Sequence, residues 1–269
     1  MAAVQVASLH KRFKDIHVLR GLDFTVQPGE GVVLLGANGC GKSTMMRCLN
    51  GLTPISGGHT YINDRCLQNA SRKEVRQLRR KVGVVFQKFN LVNNLSVYQN
   101  VLYGAIGRSP WGLLSTMSPL ASAEERDKAM ACLERVSLAD KANQRAEELS
   151  GGQQQRVAIA RMLMQEPEIV LADEPIASLD PKSGREVMEL LWDVVRERGL
   201  TVICTLHQLD IALEYGDRFL GMKAGMIEID APRKEVSKDL LNTLYQGQVR
   251  VDTLSPVATP TTQPQAANA

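Results

Sequence analysis

The stretch that decides the fold is Gly36-Ala37-Asn38-Gly39-Cys40-Gly41-Lys42-Ser43, which reads GANGCGKS at residues 36–43. It fits the pattern G-x-x-x-x-G-K-[ST], whose glycines let the backbone turn several N–H groups toward one phosphate. A buried apolar strand is predicted just before it and a helix from about Lys42, so the positive end of that helix faces the same phosphate. An ordinary glycine turn would not explain this whole context. The stretch therefore predicts a nucleotide site, with Lys42 on the β- and γ-phosphates and Ser43 on Mg²⁺.

The rest of the chain predicts strands that alternate with helices. Residues 4–26 favour strands, and the short apolar runs at 82–86, 169–172 and 202–205 favour buried strands. An apolar face over 182–197 indicates a helix that Asp180 caps and Pro181 begins. This alternation predicts a parallel sheet covered by helices.

Two segments depart from that alternation. Residues from about 90 to 165 lack strand signals, which predicts a helical subdomain inserted into one domain that spans residues 1–250. Residues 251–269 are rich in Pro, Thr, Gln and Ala and hold little to bury, which predicts a disordered tail.

The composition argues against several classes of protein. The chain has 269 residues and a net charge of +3 with no long run of Lys or Arg, which argues against nucleic acid as the main partner. No apolar run approaches the roughly 20 residues of a membrane-spanning helix, and the N-terminus does not resemble a secretory signal. The five cysteines form no short paired spacing, which predicts free thiols in a reducing compartment.

Two adjacent acids follow the predicted strand at 169–172. Asp173 and Glu174 would stand at the carboxyl end of that strand, the edge of a parallel sheet where ligands bind. From there Asp173 can reach a Mg²⁺ held by the phosphate loop, and Glu174 can orient or deprotonate an attacking water. The alternative is a pair of solvated loop acids. The phosphate loop favours the chemical role.

A second pattern suited to phosphate lies at Leu149-Ser150-Gly151-Gly152-Gln153. Ser150 can cap the helix predicted over 154–164, and helix N-termini bind anions. A plain cap would explain Ser150 but not the five-residue string. Together with the phosphate loop, this LSGGQ string resembles the signature of the ATP-binding cassette (ABC) ATPases. The resemblance covers residues 4–245 and implies an α/β fold: a RecA-like P-loop NTPase core, an N-terminal antiparallel β-subdomain and an inserted α-helical subdomain.

The resemblance also implies ATP sites shared between two subunits. In the family, two copies pack head to tail, and each signature caps the ATP that the other copy binds. The residues implied to hold ATP in this chain are Gly36, Asn38, Gly39, Cys40, Gly41, Lys42, Ser43 and Thr44, with Ser150, Gly151, Gly152 and Gln153 from the second copy.

Further positions take their roles from the order of the family's elements. Phe13 would stack on adenine, where the family usually has Tyr; the alternative is a half-buried strand residue. Gln87 would touch Mg²⁺ or its water and sense the permease. His207 would contact the γ-phosphate. Asp180, in the loop 177–180, would communicate across the dimer or simply cap the next helix. The resemblance makes Glu174 the general base, Lys42 and His207 charge stabilisers, and Ser43, Gln87 and Asp173 the Mg²⁺ environment.

Within the family, the chain is similar to ATP-binding subunits of phosphonate importers. The strings that carry this similarity include FNLVN at 89–93, ADEPIASLDP at 172–181 and TLHQ at 205–208. They imply uptake of phosphonate or phosphite through a separate permease, supplied by a periplasmic or lipid-anchored binding protein. The chain would then lie peripherally on the cytoplasmic face of the cell membrane.

Three alternatives remain open. One is an importer for another solute, such as phosphate or an amino acid. Another is a soluble ABC ATPase of DNA repair or translation, but those usually carry a long coiled-coil insertion or two cassettes, whereas 62 residues separate Gln87 from Ser150 here (150 − 87 − 1). The third is a metabolic P-loop kinase, which would not need LSGGQ.

Two smaller hypotheses concern Cys40 and the segment 108–122. A thiol near a helix N-terminus can be unusually reactive, which predicts that alkylation of Cys40 blocks ATPase activity and that ATP protects against it. A buried, inert thiol is the alternative. The apolar segment around Trp111 either faces the permease or packs the helical subdomain.

Overall fold

The computed structural model describes residues 1–108 and 121–245. The described strands are β1 (Val4–Phe13), β2 (Ile16–Val26), β3 (Gly31–Gly36), β4 (Gly57–Ile62), β5 (Arg65–Cys66), β6 (Val82–Phe86), β7 (Ile169–Asp173), β8 (Thr201–Thr205), β9 (Arg218–Lys223) and β10 (Met226–Pro232). The described helices are α1 (Lys42–Leu49), α2 (Arg72–Arg80), α3 (Val97–Leu102), α4 (Ala123–Arg135), α5 (Gly151–Met164), α6 (Pro181–Arg198), α7 (Leu209–Tyr215) and α8 (Lys238–Asn242).

A sheet of six described strands in the order β10-β9-β3-β8-β7-β6 forms the centre of the fold. All neighbours pair in parallel except β10, which returns antiparallel to β9. Alternate residues of β3 contribute to two apolar cores, one on each face of the sheet. A strand buried on both faces reads as an unbroken apolar run, which is why β3, β6, β7 and β8 were predictable. Strands β9 and β10 were not predicted.

A second sheet, in the order β2-β1-β4-β5, is antiparallel. Its apolar face shares a core with helix α1 and with one face of β3, through residues such as Leu19, Met45 and Leu34. This confirms the predicted N-terminal antiparallel subdomain. Because β2 packs on α1, the hairpin of β1 and β2 lies beside the loop that begins that helix.

Helices α3, α4 and α5 lie between β6 and β7 in the sequence and pack against one another. Their buried residues, among them Val101, Leu133 and Ile159, join the core on the other face of the central sheet. No described residue between 90 and 165 belongs to a named strand, so the helical character of this segment is confirmed. Trp111 lies outside the described residues, as does nearly all of the segment 108–122 and all of the predicted tail. The domain limits remain predictions.

Helix α6 covers the same face as α5 and confirms the helix predicted over 182–197. Asp180 accepts hydrogen bonds from the N–H groups of Lys182 and Ser183, and Pro181 occupies the first turn, as predicted. Gly199 ends the helix in the left-handed region at φ 61°. The parallel strands and this helix bring the carboxyl ends of β3, β7 and β8 to one edge, where the candidate site lies.

Candidate nucleotide site

The phosphate loop connects the end of β3 to the start of α1 and is confined by two neighbouring strands. Gly36 has φ 146°, and a Cβ there would lie 2.2 Å from the carbonyl oxygen of Met222 in β9. Gly41 has φ 113°, and a Cβ there would lie 2.8 Å from Cδ2 of Leu19 in β2. Only glycine meets both requirements at once. The backbone path of the loop is therefore fixed by its glycines and by the strands on either side.

Lys42 is a buried cation without an acidic partner among the described residues. Its side chain is 4% exposed, and Nζ donates to the carbonyl oxygens of Gly36 at 2.7 Å and Ala37 at 3.3 Å. A buried charge is costly unless another charge compensates it. Asn38 and Gly39 are exposed at the mouth of the loop, and Thr44 is half-buried on α1. The arrangement suits an anionic ligand such as a nucleotide phosphate.

Ser43 and Asp173 meet at the carboxyl edge of the sheet. The Ser43 hydroxyl donates to Oδ1 of Asp173 at 3.2 Å, although 130 residues separate the two. A hydroxyl oxygen and a carboxylate oxygen side by side are hard ligands that suit Mg²⁺. Within residues 1–108 and 121–245, no group of three or more His, Cys, Asp or Glu side chains is arranged so that it could hold a metal ion by itself. The pair therefore suits a Mg²⁺ that takes its remaining ligands from water and phosphate, as Mg²⁺ commonly does.

Glu174 and His207 come together just beyond that pair. Oε1 of Glu174 lies 2.5 Å from Nε2 of His207, which follows β8 by two residues. The backbone of Glu174 is left-handed, with φ 50°, a conformation that costs a non-glycine residue about 1–3 kcal/mol. Strain of this size persists only where neighbouring groups hold the backbone. The Glu174 carboxylate is consequently aimed at His207 rather than along the strand direction.

Thr205 is one of those neighbouring groups, and sequence reasoning gave it no role. Its Oγ1 accepts the N–H of Glu174 at 2.7 Å and donates to Oδ1 of Asp173 at 3.0 Å. It is fully buried and lies directly opposite Asp173 in the pairing of β7 with β8. A polar residue closing an apolar strand beside the Asp-Glu strand would have been the signal. Its significance depends on the register, which the sequence does not reveal.

Phe13 lies at the end of β1, at the turn of the hairpin that packs beside the phosphate loop. Its side chain is 47% exposed, and Nζ of Lys11 lies 4.6 Å from the ring centroid. Phe13 is a strand residue with about half of its surface exposed, so the alternative of a half-buried strand residue also stays open. An exposed ring on this hairpin can still receive a planar base. Stacking on adenine remains a prediction.

The signature residues form the start of α5. Ser150 accepts the N–H of Gln153 at 3.4 Å, and Gln153 Oε1 accepts the N–H of Ser150 at 3.0 Å, which makes a reciprocal cap. A Cβ at Gly151 or Gly152 would lie within 3.2 Å of Leu179 or Ser183, so the two glycines pack near the start of α6. Among the described residues, no hydrogen bond joins this segment to the phosphate loop. That the signature acts on the ATP of a second copy remains a prediction.

Among the described residues, no hydrogen bond joins Gln87 to Ser43 or Asp173. Gln87 is exposed and lines a shallow cavity with residues such as Phe89, Asn90 and Gln154. It directly follows β6, whose last residue Phe86 lies opposite Asp173 in the pairing of β6 with β7. Its predicted contact with Mg²⁺ or a Mg²⁺-bound water remains a prediction.

Asp180 serves as a helix cap, as one of its two predicted roles required. Hydrogen bonds from Ser183, with a smaller contribution from the Lys182 N–H, hold the pKa of the Asp180 carboxyl below its usual range. The side chain is exposed and touches no residue of the phosphate loop through a described hydrogen bond. Its role between subunits remains a prediction.

The structure contradicts the interpretation of Cys40 as an activated thiol. The side chain is 7% exposed, and burial raises the pKa of the Cys40 thiol, although the Lys42 ammonium partly opposes this shift. A Cβ on Gly36 would lie 2.8 Å from Sγ of Cys40, so the thiol packs against the start of the loop. The N-terminus of α1 follows Cys40 closely, but desolvation has the larger effect on the pKa of the thiol because the thiol is buried. Cys40 is a buried residue that helps to fill the base of the loop.

The comparisons with known proteins agree with this geometry. The model of the ABC transporter family matches residues 19–177. The chain is 50% identical over 250 residues to "Phosphonates import ATP-binding protein PhnC 2" of Pseudomonas savastanoi pv. phaseolicola, covering 90% of this chain and 89% of the relative. It is 51% identical over 251 residues to "Phosphonates import ATP-binding protein PhnC" of Stutzerimonas stutzeri, covering 91% and 90% of the two chains.

A solved structure extends the agreement to three dimensions. The dimeric post-hydrolysis state of the ATP-binding cassette MJ0796, bound to ADP and Pi, superposes with a TM-score of 0.75 at 34% identity, covering 86% of this chain and 98% of that one. None of the described helices is both long and apolar enough to cross a bilayer. The phosphate loop, the Asp-Glu pair and the signature helix lie in a fold that this chain shares with the solved cassette. The chain belongs to the ABC transporter family of ATPases.

Proposed function

We propose that this chain is the ATP-hydrolysing subunit of an importer for phosphonates or a related phosphorus oxyanion such as phosphite. The observation that carries the proposal is the 50% and 51% identity, over about nine-tenths of both chains, to two proteins named for phosphonate import. The cargo would not touch this subunit. It would pass through a separate permease, supplied by a periplasmic or lipid-anchored binding protein.

The proposed hydrolysis rests on five side chains at the carboxyl edge of the sheet. Glu174 would take a proton from the attacking water, and its contact with His207 at 2.5 Å supports a fixed orientation for that step. Lys42 and His207 would stabilise the charge that develops on the transferred phosphoryl group. Ser43 and Asp173 would hold Mg²⁺, which when bound offsets negative charge on the phosphate oxygens.

Two copies of the chain would form the complete sites, as the dimeric cassette related to this chain suggests. The signature residues start α5 and have no described hydrogen bond to the phosphate loop of the same chain, which supports a role on the ATP of a second copy. ATP at both sites would close the pair, and hydrolysis would let it open. We expect Glu174→Gln to form an ATP-dependent dimer on gel filtration. A strictly monomeric Glu174→Gln protein at saturating ATP would contradict the shared sites.

Residues 87–96, between β6 and α3, form a loop that we call the Gln87 loop. A groove beside it suits contact with the permease. It has a volume of about 490 Å³ and is lined by Leu52, Phe86, Tyr103 and several arginines. Leu52 is 52% exposed, and Arg76 and Arg80 have no carboxylate partner among the described residues. An apolar segment that carries an acidic side chain would therefore fit. Binding there would place this chain on the cytoplasmic face of the membrane.

The test of the cargo is ATPase activity in proteoliposomes that contain this chain, its permease and its binding protein. We would add 2-aminoethylphosphonate, methylphosphonate, phosphite and phosphate in turn, with Glu174→Gln as the inactive control. Stimulation by a phosphonate or phosphite, but not by phosphate, is the expected result. Stimulation by phosphate alone would make the chain part of a phosphate importer. No response to any of the four would direct the search to other solutes, such as amino acids.

A further inference from the structure

Gln155 is a fully buried amide one turn into the signature helix α5. Its Nε2 donates to the carbonyl oxygen of Pro175 at 2.7 Å and to that of Phe86 at 3.4 Å. Both neighbours are acceptors, so only the nitrogen of the amide can face them, and the orientation of the side chain follows from chemistry. One side chain therefore bridges two loops that are distant in sequence.

Those two carbonyl groups stand next to Gln87, which the sequence predicts to lie near Mg²⁺, and to Glu174, the proposed general base. Phe86 immediately precedes Gln87, and Pro175 immediately follows Glu174. Arg161, further along the same helix, donates to the carbonyl oxygens of Phe89 at 2.9 Å and Asn90 at 2.6 Å. Helix α5 thus holds the Gln87 loop on both sides of Gln87. Among the described hydrogen bonds, that of Gln155 is the one that joins α5 to the Glu174 loop, residues 174–180.

The Glu174 loop requires such support. Glu174 is left-handed at φ 50°, and a residue before proline is further restricted. The Glu174 N–H is held by Thr205 at 2.7 Å, and the carbonyl of the next residue is held by Gln155. The two hydrogen bonds hold the peptide group before Glu174 and the one after Pro175. Moving α5 would pull directly on one of them.

Oε1 of Gln155 is buried and has no hydrogen-bond partner among the described residues. An unpaired buried acceptor is unfavourable, and an apolar side chain of similar volume would avoid it. The presence of an amide at this position therefore points to the contacts of its nitrogen. Packing alone does not account for it.

We infer that Gln155 is a positioning residue that links the signature helix to Gln87 and Glu174 of the same subunit. The inference rests on the proposed dimer. There the signature of each copy touches the partner's ATP, whereas Gln87 and Glu174 act on the copy's own ATP. Gln155 then connects one ATP site to the other through a single side chain, so that docking of the signature adjusts the hydrolytic residues of the opposite site.

The test compares Gln155→Met with Gln165→Met. Methionine keeps the length of the side chain and removes the donor. Gln165 is a matched control because its Nε2 also donates to backbone carbonyls, those of Arg79, Arg80 and Val82, at the far end of the same helix. We expect Gln155→Met to lower kcat by about tenfold or more, because misplaced catalytic groups lose rate steeply.

The same variant should leave the Kd of the monomer for a fluorescent ATP analogue within about twofold, because the phosphate loop is untouched. The Hill coefficient for ATP should fall from about 2 toward 1. Gln165→Met should leave kcat and the Hill coefficient unchanged. Equal kcat and Hill values in the two variants would overturn the inference. Gln155→Leu serves as the second variant if Gln155→Met folds poorly.

Mixed dimers separate a local role from a link between sites. In the first, one subunit carries Gln155→Met and the other Glu174→Gln, so that only the site with the altered loops hydrolyses ATP. In the second, one subunit carries both changes and its partner is unchanged, so that only the site with the altered signature helix works. Loss of activity in both supports the link. Loss in the first alone, or in neither, overturns it.

The Glu174→Gln protein decides what a negative result means. If it forms no ATP-dependent dimer, the proposed shared sites fail and the link fails with them. If it dimerises and the mixed dimers lose nothing, the inference about Gln155 fails alone and the proposed function stands.

Discussion

Thr205→Val should impair both the stability and the catalysis of this protein. Valine has the shape of threonine without its hydroxyl, so the packing of β8 is kept. Two hydrogen bonds disappear, one from the Glu174 N–H at 2.7 Å and one to Asp173 Oδ1 at 3.0 Å. The change therefore removes polar contacts at the site without opening a cavity.

The size of the effect follows from burial. Thr205 is fully buried, and leaving the Glu174 N–H without an acceptor costs about 1–3 kcal/mol, while a hydrogen bond to a carboxylate contributes about 1.5–3 kcal/mol. We expect the free energy of unfolding to fall by about 2–5 kcal/mol. The left-handed Glu174 backbone then loses one of its restraints, and we expect kcat to fall by about 10- to 100-fold.

Urea unfolding and steady-state ATPase assays would measure the two effects, with Thr201→Val as the control. Thr201 lies on the same strand, is also buried, and accepts the N–H of Gly29 at 3.0 Å. Gly29 is exposed, so water can replace this bond and the loss should be about 0.5–1.5 kcal/mol. If Thr205→Val kept the wild-type kcat, or lowered it no more than Thr201→Val, the idea that Thr205 holds Glu174 would be refuted.

Three further predictions follow from the described contacts. Gly36→Ala should abolish binding of a fluorescent ATP analogue because its Cβ would collide with a β9 carbonyl. A Cβ on Gly39 would meet no atom within 4 Å, so Gly39→Ala should cost only about 1–2 kcal/mol of stability, from the left-handed backbone at φ 78°. Maleimide should label the half-exposed Cys66 of the native protein well before the buried Cys40. The raised pKa of the Cys40 thiol keeps its thiolate scarce until higher pH. Mass spectrometry of the digested protein would measure the labelling of each cysteine. Asn100→Leu should lower the free energy of unfolding in urea by about 2–4 kcal/mol, because the buried Asn100 amide forms hydrogen bonds with both the N–H and the C=O of Val92 in the Gln87 loop.

Each of these has its own control. Equal loss of ATP binding in the two glycine variants would mean that backbone strain, and not the collision, governs the loop. Cys66→Ser should remove the fast labelling phase and Cys40→Ser should keep it; the reverse would show that Cys40 is the reactive thiol. Asn94→Leu, at an exposed position without a described hydrogen bond, should change stability by less than about 0.5 kcal/mol. A similar loss in both asparagine variants would exclude the amide contacts as the cause.

Much of the fold was predictable because its signals are local. A strand buried on both faces must be apolar throughout, which marked β3, β6, β7 and β8. The caps at Asp180 and Ser150 depend on residues within one helical turn. The edge strand β10 alternates between half-buried and exposed residues and carries charges, so its pattern resembles a loop, and it was missed with β9.

By itself the sequence determined the phosphate loop, the Asp-Glu pair, the signature and the family, because each depends on a short string whose backbone chemistry is local. Only the tertiary structure decided which distant groups meet. Thr205 reaches Asp173 through the register of two strands, Gln155 joins loops 89 residues apart (175 − 86), and Cys40 is buried by the strands around it. Such contacts depend on sheet order, helix packing and desolvation, which are properties of the whole fold and leave no mark in the neighbouring residues.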